Sequence, residues 1–286
     1  MSSTVEMFRN LSLGYSKDVT QRYSTSFSIA IKLLAPSIRQ DIYNIYGFVR
    51  LADEIVDTFH SYPKEELLKR FENDVYHALQ ARISLNPALD SFQYTALKYN
   101  IGVDLISAFL SSMKRDLTKA EYSVDEYKDY IYGSADVVGL MCLKVFVNGD
   151  ERVYNDLKSG AMRLGSAFQK VNFLRDVKDD YELLNRSYFP GIDPKKLSAV
   201  DKENIVKEIR EDLDVAYLSI QKLPPSSRFG VYMSYRYYLK LLKKLEQSAP
   251  DELMKRRVRI PNLRKMMLVC TTYLRYKILM KYEMVH

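Results

Sequence analysis

The chain has 286 residues, enough for one large domain or two small ones, and 47% hydrophobic with 28% charged residues is typical of a globular protein. Its 43 Lys and Arg against 36 Asp and Glu give a net charge of +7, which suits an anionic ligand or membrane surface. No nucleic-acid-binding motif accompanies that charge, and with only three histidines a zinc site is not expected.

The placement of glycine and proline indicates helices with short connections. Ten glycines are few, and most of the nine prolines fall between segments of helical periodicity. No alternating strand pattern and no internal repeat is found. The sequence therefore predicts a single all-α domain over residues 1–286, a helical bundle around a central cavity. The predicted helices cover residues 36–59, 64–82, 87–100, 103–117, 124–147, 151–185 (with an interruption near Gly160), 201–222, 228–247 and 261–282, and Gly102 is predicted as a helix C-cap.

The first notable segment is Tyr23-Ser24-Thr25-Ser26-Phe27, which is polar and aromatic with little periodicity. Such a segment can present hydroxyl and backbone N–H groups to an anion. It can equally be a capped helix start.

The predicted helix 36–59 carries Arg50, Asp53 and Asp57 beside its apolar stripe. Asp53 and Asp57 are four residues apart and share one face, whereas Glu54 is expected to point elsewhere. A lone pair of this kind is a weak signal, because many surface helices contain one. A metal site and a solvated face both fit it.

Small residues recur within predicted helix 124–147, at Gly133, Ser134, Ala135 and Gly139, with Tyr132 at their head. Each interior glycine costs about 1 kcal/mol relative to alanine, so close packing or a ligand must compensate. Tight helix contact and a ligand against the bare backbone explain the glycines equally well.

A second acidic stripe lies in predicted helix 151–185, where Asn172, Asp176 and Asp180 recur every fourth residue and Gln169 precedes them. Oxygen ligands of this kind suit Mg²⁺, which takes few carboxylates and completes its shell with water and phosphate. The alternative is a solvated face whose aspartates pair with Arg175 and Lys178.

Two acidic helices facing each other would make a strongly negative pocket that needs cations. Two or three Mg²⁺ ions would neutralise it and recruit a diphosphate, and Arg50 and Arg175 could hold phosphate oxygens. Departure of the diphosphate would leave a carbocation, which requires a dry apolar cavity. The residues expected to line that cavity are Phe27, Leu34, Val137, Val138, Met141 and Phe168.

At these motifs the sequence resembles the head-to-head prenyl synthases, the family that includes phytoene, dehydrosqualene and squalene synthases. The resemblance extends over residues 20–265. It rests on four segments, which are 23–27, the first acidic motif at 45–57, the tyrosine and small-residue motif at 132–139, and 169–180 with the following Tyr188-Phe189-Pro190 turn.

The resemblance implies an isoprenoid synthase fold and two Mg²⁺-dependent half-reactions on prenyl diphosphates. It implies that Mg²⁺ is bound by Asp53, Asp57, Asn172, Asp176 and Asp180. Tyr132 would assist proton removal or steer the cation, and together with the aspartates it makes up the predicted catalytic set. The implied substrate contacts are Tyr23, Ser24, Thr25, Ser26, Phe27, Tyr46, Arg50, Asp116, Gln169 and Arg175.

Two positions depart from the family pattern. The first acidic motif reads Asp53-Glu54 where many members have two aspartates, with little expected effect. Asp251 or Glu252 stands near the place of a tyrosine that precedes the family's late basic motif, whose end Arg264 and Lys265 resemble.

Within the family, the residues of these motifs resemble bacterial carotenoid enzymes more than squalene synthases. This resemblance predicts condensation of two geranylgeranyl diphosphates, with a downstream carotenoid desaturase as partner. The alternatives are condensation of farnesyl diphosphate, as in squalene or dehydrosqualene synthases, and a non-catalytic assembly factor of the same fold. A head-to-tail elongase or a terpene cyclase is disfavoured by the tyrosine motif.

The cellular setting follows from weaker signals. Cys142 and Cys270 lie in apolar helical contexts and are predicted to be buried thiols in a reducing compartment. No signal-peptide pattern and no membrane-spanning run is present, so a cytoplasmic protein is expected. An oil-soluble product would bring it transiently to the membrane, with the basic segment from Lys255 as one candidate surface and a solvated helix start as the alternative.

Overall fold

The structure is a computed structural model that describes the backbone of residues 4–283 and the side chains of residues 4–276. Within this part the regular structure is helical, apart from one isolated bridge between Glu121 and Ser187. The predicted all-α fold is confirmed. The elements are α1 (Thr4–Tyr23), α2 (Thr25–Lys32), α3 (Pro36–Asp57), α4 (Lys64–Ala81), α5 (Pro87–Lys98), α6 (Val103–Thr118), α7 (Val124–Ile131), a π-helical turn (Tyr132–Asp136), α8 (Val137–Phe146), α9 (Glu151–Leu184), a 3₁₀ turn (Pro194–Lys196), α10 (Ala199–Lys222), α11 (Pro225–Gln247), α12 (Pro250–Leu253) and α13 (Asn262–Glu283).

Two long helices organise the bundle. Helix α9 has 34 residues and packs against α8, α10 and α11, while α3 packs against α1, α5 and α8. The central cavity lies between these groups of helices. The two predicted acidic motifs are therefore carried by the two helices that contact the most neighbours around it.

Side-chain caps begin several of the helices. Ser24 accepts a hydrogen bond from the backbone N–H of Phe27 at 3.2 Å, so the hydroxyl-rich segment is a capped helix start. Ser123 and Glu126 form a capping box at the start of α7. These contacts satisfy N–H groups that a helix start leaves without partners.

Two predictions about glycine are wrong. Gly102 begins α6 rather than ending α5, and Asn100 adopts the left-handed conformation beyond α5 with φ of 52°. Helix α9 continues through Gly160 without interruption. Helix α10 packs so closely against this position that a Cβ at Gly160 would collide with Ser219. The glycine serves helix contact and does not break the helix.

The predicted helix 124–147 is instead divided by the π-helical turn between α7 and α8. A Cβ at Gly133 would lie 2.7 Å from the carbonyl oxygen of Ala108, and one at Gly139 would lie 2.7 Å from that of Ala161. Close helix contact therefore accounts for these glycines. Gly139 also lines the cavity, so both interpretations hold at that residue.

Aromatic packing and a buried polar group fix the rotation of α3. The ring of Phe48 is fully buried and stacks on Phe92 with centroids 4.0 Å apart. Near the start of the helix, the Asp41 carboxylate accepts hydrogen bonds at 2.9 Å from Thr95, Lys98 and Tyr99. Asp57 lies nine residues beyond Phe48, about 180° around the helix, so burying the phenylalanine turns the aspartate away from this core.

The prediction that both cysteines are buried is wrong for Cys270. Cys142 is partly buried, and burial raises the pKa of its thiol to about 12. Cys270 is exposed, because it lies on the outer face of α13, where an apolar sequence context does not guarantee a covering neighbour. None of the helices in the described part is long and apolar enough to cross a membrane.

Candidate active site

A cavity of about 680 Å³ runs through the bundle along α9. Its lining includes α9 residues from Leu157 to Asp180, a distance of about 35 Å at 1.5 Å rise per residue. One end is apolar, with Cys142, Phe146 and Leu157. The other end is acidic, and its lining aspartates are Asp53, Asp57, Asp116, Asp176, Asp179 and Asp180.

The two acidic motifs converge at this end, as the sequence predicted. Burial, followed by the charge of Asp57, raises the pKa of Asp53 to about 8. Burial, followed by the charges of Asp176 and Asp57, raises the pKa of Asp180 to about 8. Because α9 carboxylates interact with Asp57 of α3, the two stripes face each other across one space.

Arginine side chains hold some of these carboxylates. Arg175 contacts Asp176 through Nε at 2.9 Å, and Arg257 contacts the same carboxylate through Nε at 2.6 Å and Nη2 at 3.0 Å. Asp57 accepts a hydrogen bond from Nη1 of Arg186 at 2.8 Å. Two guanidinium groups therefore share Asp176, and a third binds Asp57 of α3.

Arg186 and Arg257 were not identified from the sequence as site residues. Arg186 follows the end of α9 and Arg257 lies in the basic segment after α12, both outside any helical periodicity. Their carboxylate partners are 129 and 81 residues away in the chain. The run of basic residues from Lys255 is the only sequence signal near Arg257, and it predicts a candidate membrane surface, not a contact with Asp176.

Arg50 lines the cavity but is already paired. It forms a salt bridge with Glu54, one turn further along α3, and its guanidinium carbon lies 4.4 Å from the centroid of the Tyr23 ring. Glu54 is buried beside Arg50 and is absent from the cavity lining, so it points away from the space that Asp53 and Asp57 border, as expected. Tyr46 also lines the cavity, and burial raises its pKa to about 12.

The predicted catalytic tyrosine needs correction. Tyr132 is not among the cavity-lining residues, and its side chain is 39% exposed. Tyr130 lines the cavity instead and donates a hydrogen bond to Oδ2 of Asp116 at 2.8 Å. Tyr132 is the first residue of the π-helical turn, and its side chain projects outside the cavity that Tyr130 borders.

Asp116 is the centre of a buried hydrogen-bonded group. Besides Tyr130, it accepts from the Tyr122 hydroxyl at 3.4 Å, and its Oδ1 lies 3.8 Å from Nη1 of Arg186. Burial raises the pKa of Asp116 to about 7, although Arg186 opposes the shift. A carboxyl with this pKa can exchange a proton near neutral pH.

The remaining predicted contacts divide between the cavity and other places. The residues that line it are Tyr23, Ser24, Phe27, Tyr46, Arg50, Asp116, Gln169, Asn172 and Arg175. Thr25 and Ser26 are outside the lining, since they occupy the first turn of α2 while Ser24 and Phe27 face inward. Of the predicted apolar lining, Phe27, Leu34, Val138 and Phe168 are in place, but Val137 and Met141 are fully buried in the core on another face of α8.

An aromatic wall adjoins the acidic end. The rings of Phe168 and Tyr238 stack with centroids 3.8 Å apart, and Phe27 lies 5.9 Å from Tyr46 and 6.2 Å from Tyr238. All four rings line the cavity. Aromatic faces attract a cation, so this wall suits a positively charged intermediate.

The donor set has the chemistry that Mg²⁺ requires, namely carboxylate and amide oxygens. Among residues with described side chains, no three His, Cys, Asp or Glu are grouped closely enough to form a metal site by themselves. Mg²⁺ usually takes only one or two carboxylates and completes its shell with water and substrate phosphate. Burial, followed by the charges of neighbouring aspartates, raises the pKa of Asp53 and Asp180, and a bound cation would relieve the repulsion between these carboxylates.

Known proteins resemble the chain in sequence over most of its length. The family described as squalene/phytoene synthase matches residues 20–264. Phytoene synthase 1 of Solanum lycopersicum is 29% identical over 84% of the chain, which spans 62% of that relative's length. Phytoene synthase of Pseudescherichia vulneris is 28% identical over 75% of the chain and 76% of its own.

Solved structures share the fold. A dehydrosqualene synthase with bound ligand superposes with a TM-score of 0.80 at 20% identity, over 94% of this chain and 98% of that one. A squalene synthase of Alicyclobacillus acidocaldarius superposes with a TM-score of 0.73 at 19% identity, over 86% of this chain and 96% of that one. At these identities the likeness shows the fold alone, which is the predicted isoprenoid synthase fold.

Proposed function

The chain belongs to the squalene/phytoene synthase family, and on that premise we propose that it condenses two geranylgeranyl diphosphates head to head to form phytoene. The observation that carries the proposal is the convergence of Asp53 and Asp57 with Asp176 and Asp180 at one end of an otherwise apolar cavity. The curated relatives named phytoene synthase support the choice of product.

The acidic end would hold the diphosphate of each substrate. Arg175 and Arg257 flank Asp176 and carry planar donor pairs that match phosphate oxygens. Two or three Mg²⁺ ions, held by Asp53, Asp57, Asn172, Asp176 and Asp180, would supply positive charge to the departing diphosphate. The protein's part is to fix these ligands before the reaction begins.

In the first half-reaction the C–O bond of one allylic diphosphate breaks, and diphosphate leaves with the bonding electrons. The aromatic wall of Phe27, Tyr46, Phe168 and Tyr238 would stabilise the resulting allylic cation and exclude water from it. A double bond of the second prenyl chain attacks the cation. Loss of a proton then closes the ring of prephytoene diphosphate, a cyclopropylcarbinyl diphosphate.

In the second half-reaction the remaining diphosphate leaves with the bonding electrons, the cyclopropylcarbinyl cation rearranges, and loss of another proton gives phytoene. No reductant enters this balance. The pair formed by Tyr130 and Asp116 could accept such a proton, since the phenol borders the cavity and donates to a carboxylate whose pKa is about 7. In this proposal the pair replaces Tyr132, to which the resemblance assigns proton removal.

The test is incubation of the purified protein with Mg²⁺ and geranylgeranyl and farnesyl diphosphates in competition, followed by product mass and diphosphate release. Phytoene as the main product supports the proposal. Diphosphate release without a condensed hydrocarbon would refute it. If the product is phytoene, a carotenoid desaturase remains its predicted recipient.

The second candidate is a farnesyl-specific enzyme, favoured by the squalene and dehydrosqualene synthases that share the fold. The apolar end of the cavity decides between the two. Cys142 keeps accessible surface there, so Cys142→Phe should fill space needed by the longer chain and shift use toward farnesyl diphosphate. Each buried methylene is worth about 0.8 kcal/mol, so excluding even two of them lowers relative geranylgeranyl use by about tenfold.

A non-catalytic assembly factor of the same fold would not need the aspartates. Asp53, Asp57, Asp176 and Asp180 are all present and border the same cavity. Retention of this mutually repelling set favours catalysis over the assembly role. The absence of diphosphate release from any prenyl diphosphate would favour the assembly role.

A further inference from the structure

The positive charge of the chain is concentrated near its C-terminus. From Lys255 to Tyr282 the sequence contains nine Lys and Arg and no Asp or Glu, whereas the whole chain has a net charge of +7. The rest of the chain is therefore slightly acidic. A charge asymmetry of this size points to an anionic partner for this segment rather than for the molecule as a whole.

The outer face of α13 exposes apolar side chains at helical spacing. Leu263, Met266, Met267 and Leu274 have 71%, 65%, 52% and 62% of their surface exposed, and Cys270 between them is also exposed. Leu263, Met267, Cys270 and Leu274 are separated by three or four residues and form one stripe, and Met266 lies at its edge. We call these five residues the apolar stripe. Such a continuous exposed strip marks an interaction surface.

The inward face of α13 is already used. The helix packs against α11, Thr272 is fully buried, and the ring of Tyr276 lies 4.8 Å from that of Phe229. The apolar stripe is therefore a second apolar face of the helix. Arg264 and Arg275, exposed near the two ends of the stripe, supply positive charge beside it.

The start of α13 is connected to the mouth of the cavity. Arg257, five residues before the helix, lines the cavity and contacts Asp176. Lys265 in the first turn of α13 lies 5.7 Å from the ring of Tyr237, whose neighbour Tyr238 is part of the cavity wall. Whatever binds the apolar stripe would therefore lie beside the acidic end of the cavity.

We propose that α13 is an interfacial helix whose apolar stripe enters the headgroup region of an anionic lipid bilayer, with Arg264 and Arg275 beside the stripe contacting the lipid phosphates. Apolar residues on one face with Lys and Arg beside them are the pattern of helices that lie in the membrane plane. Nucleic acid would leave the methionines and leucines without a role. A second copy docked symmetrically on this face would bring two sets of like charges together.

This inference goes beyond the proposed reaction, and its test uses no substrate. The full-length protein is sedimented with vesicles of equimolar phosphatidylglycerol and phosphatidylcholine, and separately with vesicles of phosphatidylcholine alone. Binding should be confined to the anionic vesicles and should weaken as salt increases. Equal binding to both, or no binding to either, overturns the proposal.

Two variants separate the contributions of charge and apolar surface. Arg264→Gln with Arg275→Gln should lower the partition coefficient by about thirtyfold, since each basic residue near an anionic surface is worth about fivefold. Leu263→Ser with Leu274→Ser should lower it by at least tenfold. The control is Leu11→Ser, a leucine of 67% exposure on α1 outside the basic segment, which should bind as the unaltered protein does.

Cys270 offers a direct readout of the apolar stripe. An environment-sensitive maleimide should label Cys270 alone, because burial raises the pKa of the only other thiol, Cys142, to about 12. Emission should shift to shorter wavelength when anionic vesicles are added. Vesicle binding without that shift would mean that another surface docks, and a stripe variant that converts a dimer to a monomer would mean that the face binds a second copy. Either result overturns the assignment.

Discussion

Tyr130 lines the cavity and Tyr132 does not, so the two tyrosines lead to a paired prediction. Tyr130→Phe removes only the hydroxyl that donates to Asp116 at 2.8 Å and leaves the ring packed beside Tyr188. Tyr132→Phe removes a hydroxyl from an exposed side chain outside the cavity. We expect the first change to impair catalysis and the second to leave it intact.

The size of the effect follows from the partners of Asp116. A hydrogen bond to a charged group is worth about 1.5–3 kcal/mol, and Tyr122 and Arg186 still contact the carboxylate after the change. The loss of stability should therefore be near the lower end of that range, and the fold should persist. A positioned acid or base contributes about 10²–10⁴ in rate, so formation of product should fall at least a hundredfold.

The assay follows both diphosphate release and hydrocarbon product. If the hydroxyl acts in proton removal, Tyr130→Phe should retain more of the first diphosphate release than of the final product. Urea unfolding of both variants controls for stability. The reasoning would be refuted if Tyr132→Phe lost as much product as Tyr130→Phe, or if Tyr130→Phe behaved as the unaltered protein.

Three further changes test two residues of the site and the buried carboxyl of Asp136 in the π-helical turn. Asp53→Asn should reduce turnover about 10³-fold with little loss of stability, because it removes a charge that burial and Asp57 already disfavour; thermal melting and a rate assay measure the two effects, and a near-normal rate would contradict the metal assignment. Arg257→Gln should raise KM for prenyl diphosphate more than it lowers kcat, because it removes a guanidinium from beside Asp176; an unchanged KM would exclude the phosphate role. Asp136→Asn should remove a pH dependence of stability, since burial raises the pKa of this carboxyl to about 6. A carboxyl whose pKa is raised in the folded state stabilises the fold at low pH, and the free energy of unfolding falls by up to about 3 kcal/mol as pH rises from about 4 to 6. The free energies of urea unfolding at pH 4 and pH 7 should therefore differ more for the unaltered protein than for the variant, and equal differences would contradict the shift.

Periodicity and spacing were sufficient to predict α3 and α9 and the aspartates that each carries. The four-residue interval survives any small error in a helix boundary, because it fixes which side chains share a face. The convergence of the two stripes could be inferred only from their combination. Either motif alone fitted a solvated surface equally well.

What the sequence missed depends on contacts that no local pattern encodes. Arg186 and Arg257 reach their aspartates from irregular segments far along the chain. The resemblance implies Tyr132, and the sequence shows neither the π-helical turn nor which tyrosine lines the cavity. Cys270 was judged buried because an apolar stretch does not reveal which of its faces has a neighbour.

The charges at the acidic end lead to one more consequence. Six aspartates line it, and Arg175, Arg186 and Arg257 contact Asp176 and Asp57, while the pKa values of Asp53, Asp116 and Asp180 are raised to about 7 or 8. Near neutral pH the site is therefore compensated partly by arginine and partly by bound protons.

Cations bind carboxylates in their deprotonated form, so binding of Mg²⁺ with diphosphate should displace protons from this end of the cavity. Calorimetric titration at pH 7 in buffers of different ionisation enthalpy measures the number released. The release should be large at pH 7 and small at pH 9, because Asp53 and Asp180, with pKa values of about 8, are mostly deprotonated at the higher pH. A binding heat that does not depend on the buffer at pH 7 would mean that the aspartates are already ionised and that the arginines alone balance their charge.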